Sequence, residues 1–302
     1  MINTTENQYD AYCKKVLRFK PIASRVLHGF IPEFQSLSLN EIHNMLDKDN
    51  LSDRMSVLNV EDITKPNAKI FYDLLCHIPY KDGLFVDFEP QGKISNYDAF
   101  VNRCIHTGSR MIVWQRNEKD GSFKDDFSDL KRCISIWIVI HPPVEHRGKV
   151  IRIVQKQSQM SETKTTNEKE LNQQTILILC LHDEIDLTDN SALMMLSVLF
   201  SSKLSQNERV LYLEKSYGIV LTDAEREVVG QMCNAHEGVY EYGLEAGMTL
   251  GRAKGKAEGR IEGLKEKSFE IARKLLRMGL SVHVVADTTG LSLNEVEQLL
   301  NH

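Results

Sequence analysis

Leu84-Phe85-Val86-Asp87-Phe88-Glu89-Pro90-Gln91 alternates with period two from Val86 onward, the pattern of a β-strand whose two faces meet different surroundings. Val86 and Phe88 fall on one face, and Asp87, Glu89 and Gln91 on the other. Immediately before it, Pro79-Tyr80-Lys81-Asp82-Gly83 is a turn signal, Asp-Gly being favoured in hairpin turns. The preceding run, Lys69-Ile70-Phe71-Tyr72-Asp73-Leu74-Leu75-Cys76, reads as a second strand. Together they predict a β-hairpin. Pro90 has no backbone N–H, so the ladder is expected to be interrupted there, as at an edge or a bulge.

A turn centred on Lys81, Asp82 and Gly83 puts position 73 opposite a residue between 89 and 92. Cross-strand neighbours lie about 5 Å apart, so Asp73 faces Glu89 or Gln91. Two carboxylates at that distance raise one another's pKa unless a cation lies between them. A hard divalent ion with oxygen ligands, Mg²⁺ or Mn²⁺, relieves the repulsion. Such an ion suits phosphodiester hydrolysis, because it lowers the pKa of a bound water and neutralises charge on the phosphate. Asp73, Glu89 and Gln91 are therefore the candidate catalytic residues, with Asp73 and Glu89 as metal ligands and the Gln91 amide orienting the attacking water. The same Asp-x-Glu-x-Gln spacing also suits a strand whose polar face meets solvent, and the pattern by itself leaves both readings open.

Outward from the hairpin, residues 97–115 return to helical spacing, with Arg103 and Arg110 two turns apart on one face. Asn117 to Asp129 reads as a polar loop. Ser135-Ile136-Trp137-Ile138-Val139-Ile140 is a continuous apolar run, as in a central strand buried on both faces. Thr175 to Leu181 is a second such run, and the polar stretch between them, Ser158 to Gln173, is expected to be a mobile loop. Towards the N-terminus, residues 9–48 read as a helical packing layer, with Asn40 capping a short helix that ends near Leu46. After Asn190 the sequence predicts helices at Ser191–Phe200, Ser205–Tyr217 and Thr222–Cys233, the last opened by a Thr222/Glu225 capping box.

Composition narrows the function. At 302 residues the chain is long enough for one α/β domain and an appendage. The net charge of −5 argues against a general DNA-coating protein, so any DNA contact has to be local, through a basic groove or a metal ion. The six cysteines form no CxxC pair, which points to reduced thiols in a cytoplasmic protein rather than a zinc site or a disulfide framework. No apolar run approaches membrane-spanning length. No Walker A loop or dinucleotide fingerprint is present, so no nucleotide cofactor site is expected, and the histidines of His141-Pro142-Pro143-Val144-Glu145-His146 do not have the spacing of a helical zinc motif.

The C-terminal segment is unusual in carrying Gly243, Gly247, Gly251, Gly255, Gly259 and Gly263 at every fourth position. On a helix these drift only about 40° per step, forming a bare groove. Each costs about 0.8–1.0 kcal/mol against alanine, which close helix–helix contact would offset, so homo-oligomerisation through residues 238–302 is expected, with a flexible, partly frayed helical linker as the competing reading. Arg252, Lys254, Lys256 and Arg260 exclude a membrane-packing role for the repeat. Beyond it, a helix from Phe269 to Met278 stopped by Gly279 precedes two short helical stretches that resemble a helix-turn-helix unit.

The order Phe71-Tyr72-Asp73, Val86-Asp87-Phe88-Glu89-Pro90-Gln91, Arg103, Ser109-Arg110-Met111-Ile112, Cys133 to Ile138 and Pro142-Pro143 resembles the Rpn family of recombination-promoting nucleases, also called PD-(D/E)XK nuclease family transposases. The resemblance spans roughly residues 20–300 and includes the glycine-periodic helix. It implies an α/β fold, a restriction-endonuclease-like mixed sheet flanked by helices, with an all-helical C-terminal extension. It implies Mg²⁺-dependent DNA cleavage with Asp73 and Glu89 as metal ligands, Gln91 in the place of the usual lysine, the Pro90 carbonyl as a further ligand, and Arg103 and Arg110 on DNA phosphates. The domain reading is a nuclease-like domain at 1–190 (helical layer 9–48, core sheet 68–182), a helical subdomain at 191–237, and the long helix with its small tail at 238–302. The competing reading is a catalytically inactive DNA-binding or protein-interaction module that oligomerises through the C-terminal helices.

Overall fold

The computed structural model describes residues 4–46, 54–58, 61–65, 68–115, 127–161 and 164–299. The chain divides into two compact units, Met1–Glu237 and Gly238–His302. In the first, helices α1 (Thr4–Leu17), α2 (Lys20–Phe30) and α3 (Leu39–Met45) precede a small antiparallel pair, β1 (Glu61–Lys65) and β2 (Ala68–Phe71). Strands β3 (Leu75–Ile78) and β4 (Leu84–Lys93) form the hairpin, and α4 (Tyr97–Gln115) crosses to β5 (Arg132–His141). Strands β6 (Val150–Ser161) and β7 (Lys164–Cys180) follow, then α5 (Ala192–Phe200), α6 (Gln206–Tyr217) and α7 (Asp223–Arg277).

The main sheet has five strands in the order β3-β4-β5-β7-β6. The β3/β4 and β6/β7 pairs are antiparallel, while β4/β5 and β5/β7 are parallel. Parallel neighbours need a crossover, and α4 supplies the one between β4 and β5. The sheet is thus mixed and covered by helices on both faces. Val86, Phe88, Ile134, Ile136, Ile138, Leu177 and Leu179 face a core built with α1, α2 and α5. Trp137, Val139, Ile176 and Ile178 face Phe100 and Cys104 of α4, and Phe85 and Cys133 face its Met111 and Trp114. Burial of both faces explains why β5 reads as an uninterrupted apolar run. On α4, Gly108 marks a close approach to β7, since a Cβ there would stand 2.5 Å from Nε2 of the buried Gln174. Among the described residues, no helix is long and apolar enough to cross a membrane.

Several expectations need correction. Lys69–Cys76 is not one strand. Residues 68–71 pair with β1, the chain bends at Asp73 and Leu74, and β3 begins only at Leu75. The polar stretch Ser158–Gln173 is not a loop but the outer part of the β6–β7 ribbon. β5 pairs with β7 only from Gln174 onward, so the earlier ribbon lacks that third strand and the apolar alternation that packing would impose. The short third helix is capped by Ser38 rather than Asn40, because the Ser38 Oγ accepts from Glu41 N at 3.3 Å and Glu41 returns a bond to Ser38 N at 2.7 Å. The helices of 191–237 do not form a separate subdomain, since α5, α6 and the start of α7 share the main core. The loop expected at 117–129 falls mostly outside the described residues.

The second unit is helical. The predicted helix Thr222–Cys233 of the first unit, the glycine-periodic segment and the predicted helix Phe269–Met278 are joined in one helix, α7, over Asp223–Arg277. Around Gly251, Gly255, Gly259 and Gly263, nothing stands within 4 Å of where a side chain would begin. Gly279 adopts φ +85° where α7 ends, and α8 (Val282–Thr289) and α9 (Leu293–Gln298) follow. Ala272 of α7 closes a small core with Val285, Leu291 and Val296.

Candidate active site

The hairpin register settles what faces what. Leu75 pairs with Asp87 and Cys76 with Val86, which puts position 73, just beyond the start of β3, beside position 89. The side chains bear this out. Asp73 N donates to Glu89 Oε1 at 3.4 Å, and Leu74 N donates to Asp87 Oδ1 at 3.3 Å. The bend that ends the first strand at Tyr72 thereby aims two backbone donors at two carboxylates.

Pro90 is explained by the same register. Phe88 N points to the β3 side, donating to Leu74 O at 3.3 Å, and the N of residue 90 faces the same way. The β3–β4 ladder ends at Leu75, so a donor at position 90 would face a vacated edge and the proline costs no ladder bond.

Asp87 is fully buried, and Asp73 and Glu89 are partly buried. Burial, then the neighbouring Asp87 and Asp73 carboxylates, push Glu89 well above the usual carboxylate range. Burial likewise raises Asp87, with the neighbouring Glu89 carboxyl opposing the rise and the Asp73 charge adding to it. Asp73 is also raised, chiefly by burial, although Lys14 pulls the other way. Lys14 Nζ lies 2.6 Å from Asp73 Oδ1 and 2.6 Å from Asp10 Oδ2, one turn back on α1.

Gln91 is tied on both sides of its amide. Its Oε1 accepts from Arg103 of α4, and its Nε2 donates to Lys93 O at 3.2 Å. The Arg103 guanidinium lies over the Trp137 ring, 4.8 Å from its centroid. Arg103 therefore borders the acids. Arg110 is partly buried two turns further along α4, about 10 Å along the helix axis from Arg103.

A second set of polar atoms lies behind the acids. Asp87 pairs in register with Ser135, and Glu89 with Trp137. Asp87 Oδ2, Ser135 Oγ and Trp137 Nε1 are buried without a hydrogen-bond partner among the described residues. A buried carboxylate oxygen left unpaired is costly and is the kind of atom a cation or a water satisfies. The donor set, all carboxylate oxygen, suits a hard divalent ion. Among the described residues no three His, Cys, Asp or Glu side chains are already arranged around one ion position. Lys14 and the Asp73 and Leu74 amides each hold one carboxylate oxygen in place, so closing on an ion takes side-chain rotation.

Reasoning from sequence named Asp73, Glu89, Gln91 and Arg103, and these lie together. It set Asp87 on the polar face without a role and missed Asp10 and Lys14. The Asp10/Lys14 spacing of four on a helix otherwise burying Cys13, Val16 and Leu17 was the available signal. A cavity of about 500 Å³ lies at the opposite end of β4 and β5, lined by Tyr80, Lys81, Asp129, Lys131 and Arg132, and contains none of the acids.

Residues 265–301 match the model of the Rpn/YhgA-like nuclease family, C-terminal HTH domain. No curated protein and no solved structure matches the chain.

Proposed function

We propose that this chain, whose residues 265–301 match the C-terminal HTH domain of the Rpn/YhgA-like nuclease family, carries in its first unit a metal-dependent DNA endonuclease of the PD-(D/E)XK type. The observation that carries the proposal is the meeting of Asp73, Asp87 and Glu89 where β3 stops, with a buried Asp87 oxygen left unpartnered.

In this reading Asp73 and Glu89 hold Mg²⁺ or Mn²⁺, with the Pro90 carbonyl beside them. Bound there, the ion would lower the pKa of a water and neutralise charge on the phosphate. The protein's own residues do the rest. Asp87 braces the bend by accepting from Leu74 N, and its second oxygen is buried without a partner among the described residues. Gln91 anchors Arg103, and Trp137 supports the flat face of the guanidinium. Held in this way, the guanidinium presents its planar fork to a phosphate. Arg110 extends the same helix for contact with a second phosphate. The C-terminal unit adds DNA contact of its own.

The test is cleavage of supercoiled plasmid with Mg²⁺ or Mn²⁺ by the wild type, Asp73→Ala and Glu89→Ala. Metal-dependent nicking lost in both variants supports the assignment. A wild type inactive with either metal favours the binding-module reading, in which the acids are a structural remnant.

A further inference from the structure

The acid cluster carries a positive charge that does not come from its own strand. Position 91 of β4 is a neutral glutamine engaged with Arg103 and Lys93. From α1, which packs on β4, Lys14 reaches Asp73 and Asp10 at 2.6 Å each, with its side chain 28% exposed. An ammonium has three donors. Two are committed to Asp10 and Asp73, and the third has no protein partner among the described residues. Of Asp73, Lys14 takes Oδ1, and the remainder of its carboxyl lies against Glu89. Asp10 and Asp73 hold the ammonium, while Asp87 and Glu89 adjoin Asp73 through the amides of the bend, so the single charge of Lys14 leaves room for a divalent ion rather than replacing it.

We propose that Lys14 is the catalytic cation of this site, held by Asp10 beside the metal ligand Asp73 and presenting its third N–H to a non-bridging oxygen of the scissile phosphate. The proposal rests on the nuclease reading. In the reaction, a water oxygen bonds to phosphorus, one P–O ester bond breaks, and the water supplies the proton that the departing alkoxide takes. Lys14 neither gains nor loses a proton. It stabilises the charge gathering on the phosphate oxygen, the kind of contact in which one lost donor costs about 10²–10³ in rate. Asp10 is a positioning residue that acts through Lys14.

The experiment uses the full-length chain as wild type, Lys14→Gln, Lys14→Arg and Asp10→Asn. It reads plasmid cleavage at saturating Mn²⁺ and DNA, Mn²⁺ affinity by calorimetry, and the melting temperature. Lys14→Gln is expected to lose about 100-fold in the saturated rate while its Mn²⁺ affinity holds or rises, since a competing positive charge is gone. Lys14→Arg should recover part of the rate, and Asp10→Asn should lower it less than Lys14→Gln does. A purely structural ion pair would move the melting temperature and leave the saturated rate alone. Lys14→Gln cutting at the wild-type rate overturns the proposal. If that variant does not fold, a wild-type rate in Asp10→Asn overturns it instead. Failure of the nuclease reading shows differently: a wild type that cuts no DNA brings down both, whereas active wild type with an equally active Lys14→Gln brings down the lysine alone.

Discussion

Glu89 is the residue under greatest electrostatic tension. It is partly removed from water beside Asp87 and Asp73, and its pKa is raised by all three circumstances. An acid whose folded pKa lies above its unfolded value near 4.3 stabilises fully below that value, and the contribution is lost as pH rises towards the folded pKa. In EDTA the melting temperature of the wild type should therefore fall as pH is raised from 5 to 9, and Glu89→Gln should flatten the fall. Parallel curves for the two proteins would mean that Glu89 is not the group responsible. Asp73 and Glu89 were legible in the sequence because a period-two strand and a short turn fix which positions meet across a hairpin. Lys14 was not, because its partner comes from a distant element and a lysine on a helix is ordinarily a solvated charge. The burial of Asp87 was equally hidden, since alternation assigns a side chain to a face without telling whether that face is wet.

At the scale of elements, α4 approaches β7 closely. Gly108 stands over the buried Gln174, whose amide donates to Ile105 O at 3.4 Å and accepts from Gln155 at 3.4 Å. Gly108→Val should cost about 1–3 kcal/mol through overpacking, only partly offset by the better helix propensity of valine. Its urea midpoint should fall accordingly, and an unchanged midpoint would show that Gln174 gives way freely. The helix α4 and the central strand β5 were readable because each buries a regular pattern. The β6–β7 ribbon was not, because an apolar pattern appears in a strand only where something covers it, and β5 reaches only the part from Gln174 onward. The break between β2 and β3 was also concealed, because both pieces are strand-like and only the change of partner separates them.

For the whole molecule, the acids lie in the unit Met1–Glu237, and the bare glycines described lie in Gly238–His302. From Gly238 onward every Lys and Arg falls between Arg252 and Arg277, on α7. The helices α8 and α9 carry Asp287, Glu295 and Glu297 instead. DNA contact by this unit is therefore expected from α7 rather than from the last helix, whose glutamates repel phosphate. A chain ended after Glu237 should retain metal-dependent cleavage but show fewer chains per particle in light scattering than the full chain. Equal association states would assign the glycine repeat no part in self-assembly. Sequence periodicity exposed the repeat plainly, and at Gly251, Gly255, Gly259 and Gly263 nothing stands within 4 Å of where a side chain would begin.

Among the described residues, β4 has no strand partner on its β3 side beyond Phe88. A strand left unpaired on one side is a template on which any extended peptide can continue the sheet. Here that edge borders the acids, and a peptide settling there would compete with the polymer the site is proposed to cut. Pro90 removes the one N–H that a visiting strand would seek first. Sheet growth along that edge is thereby discouraged without placing a further charge beside the carboxylates.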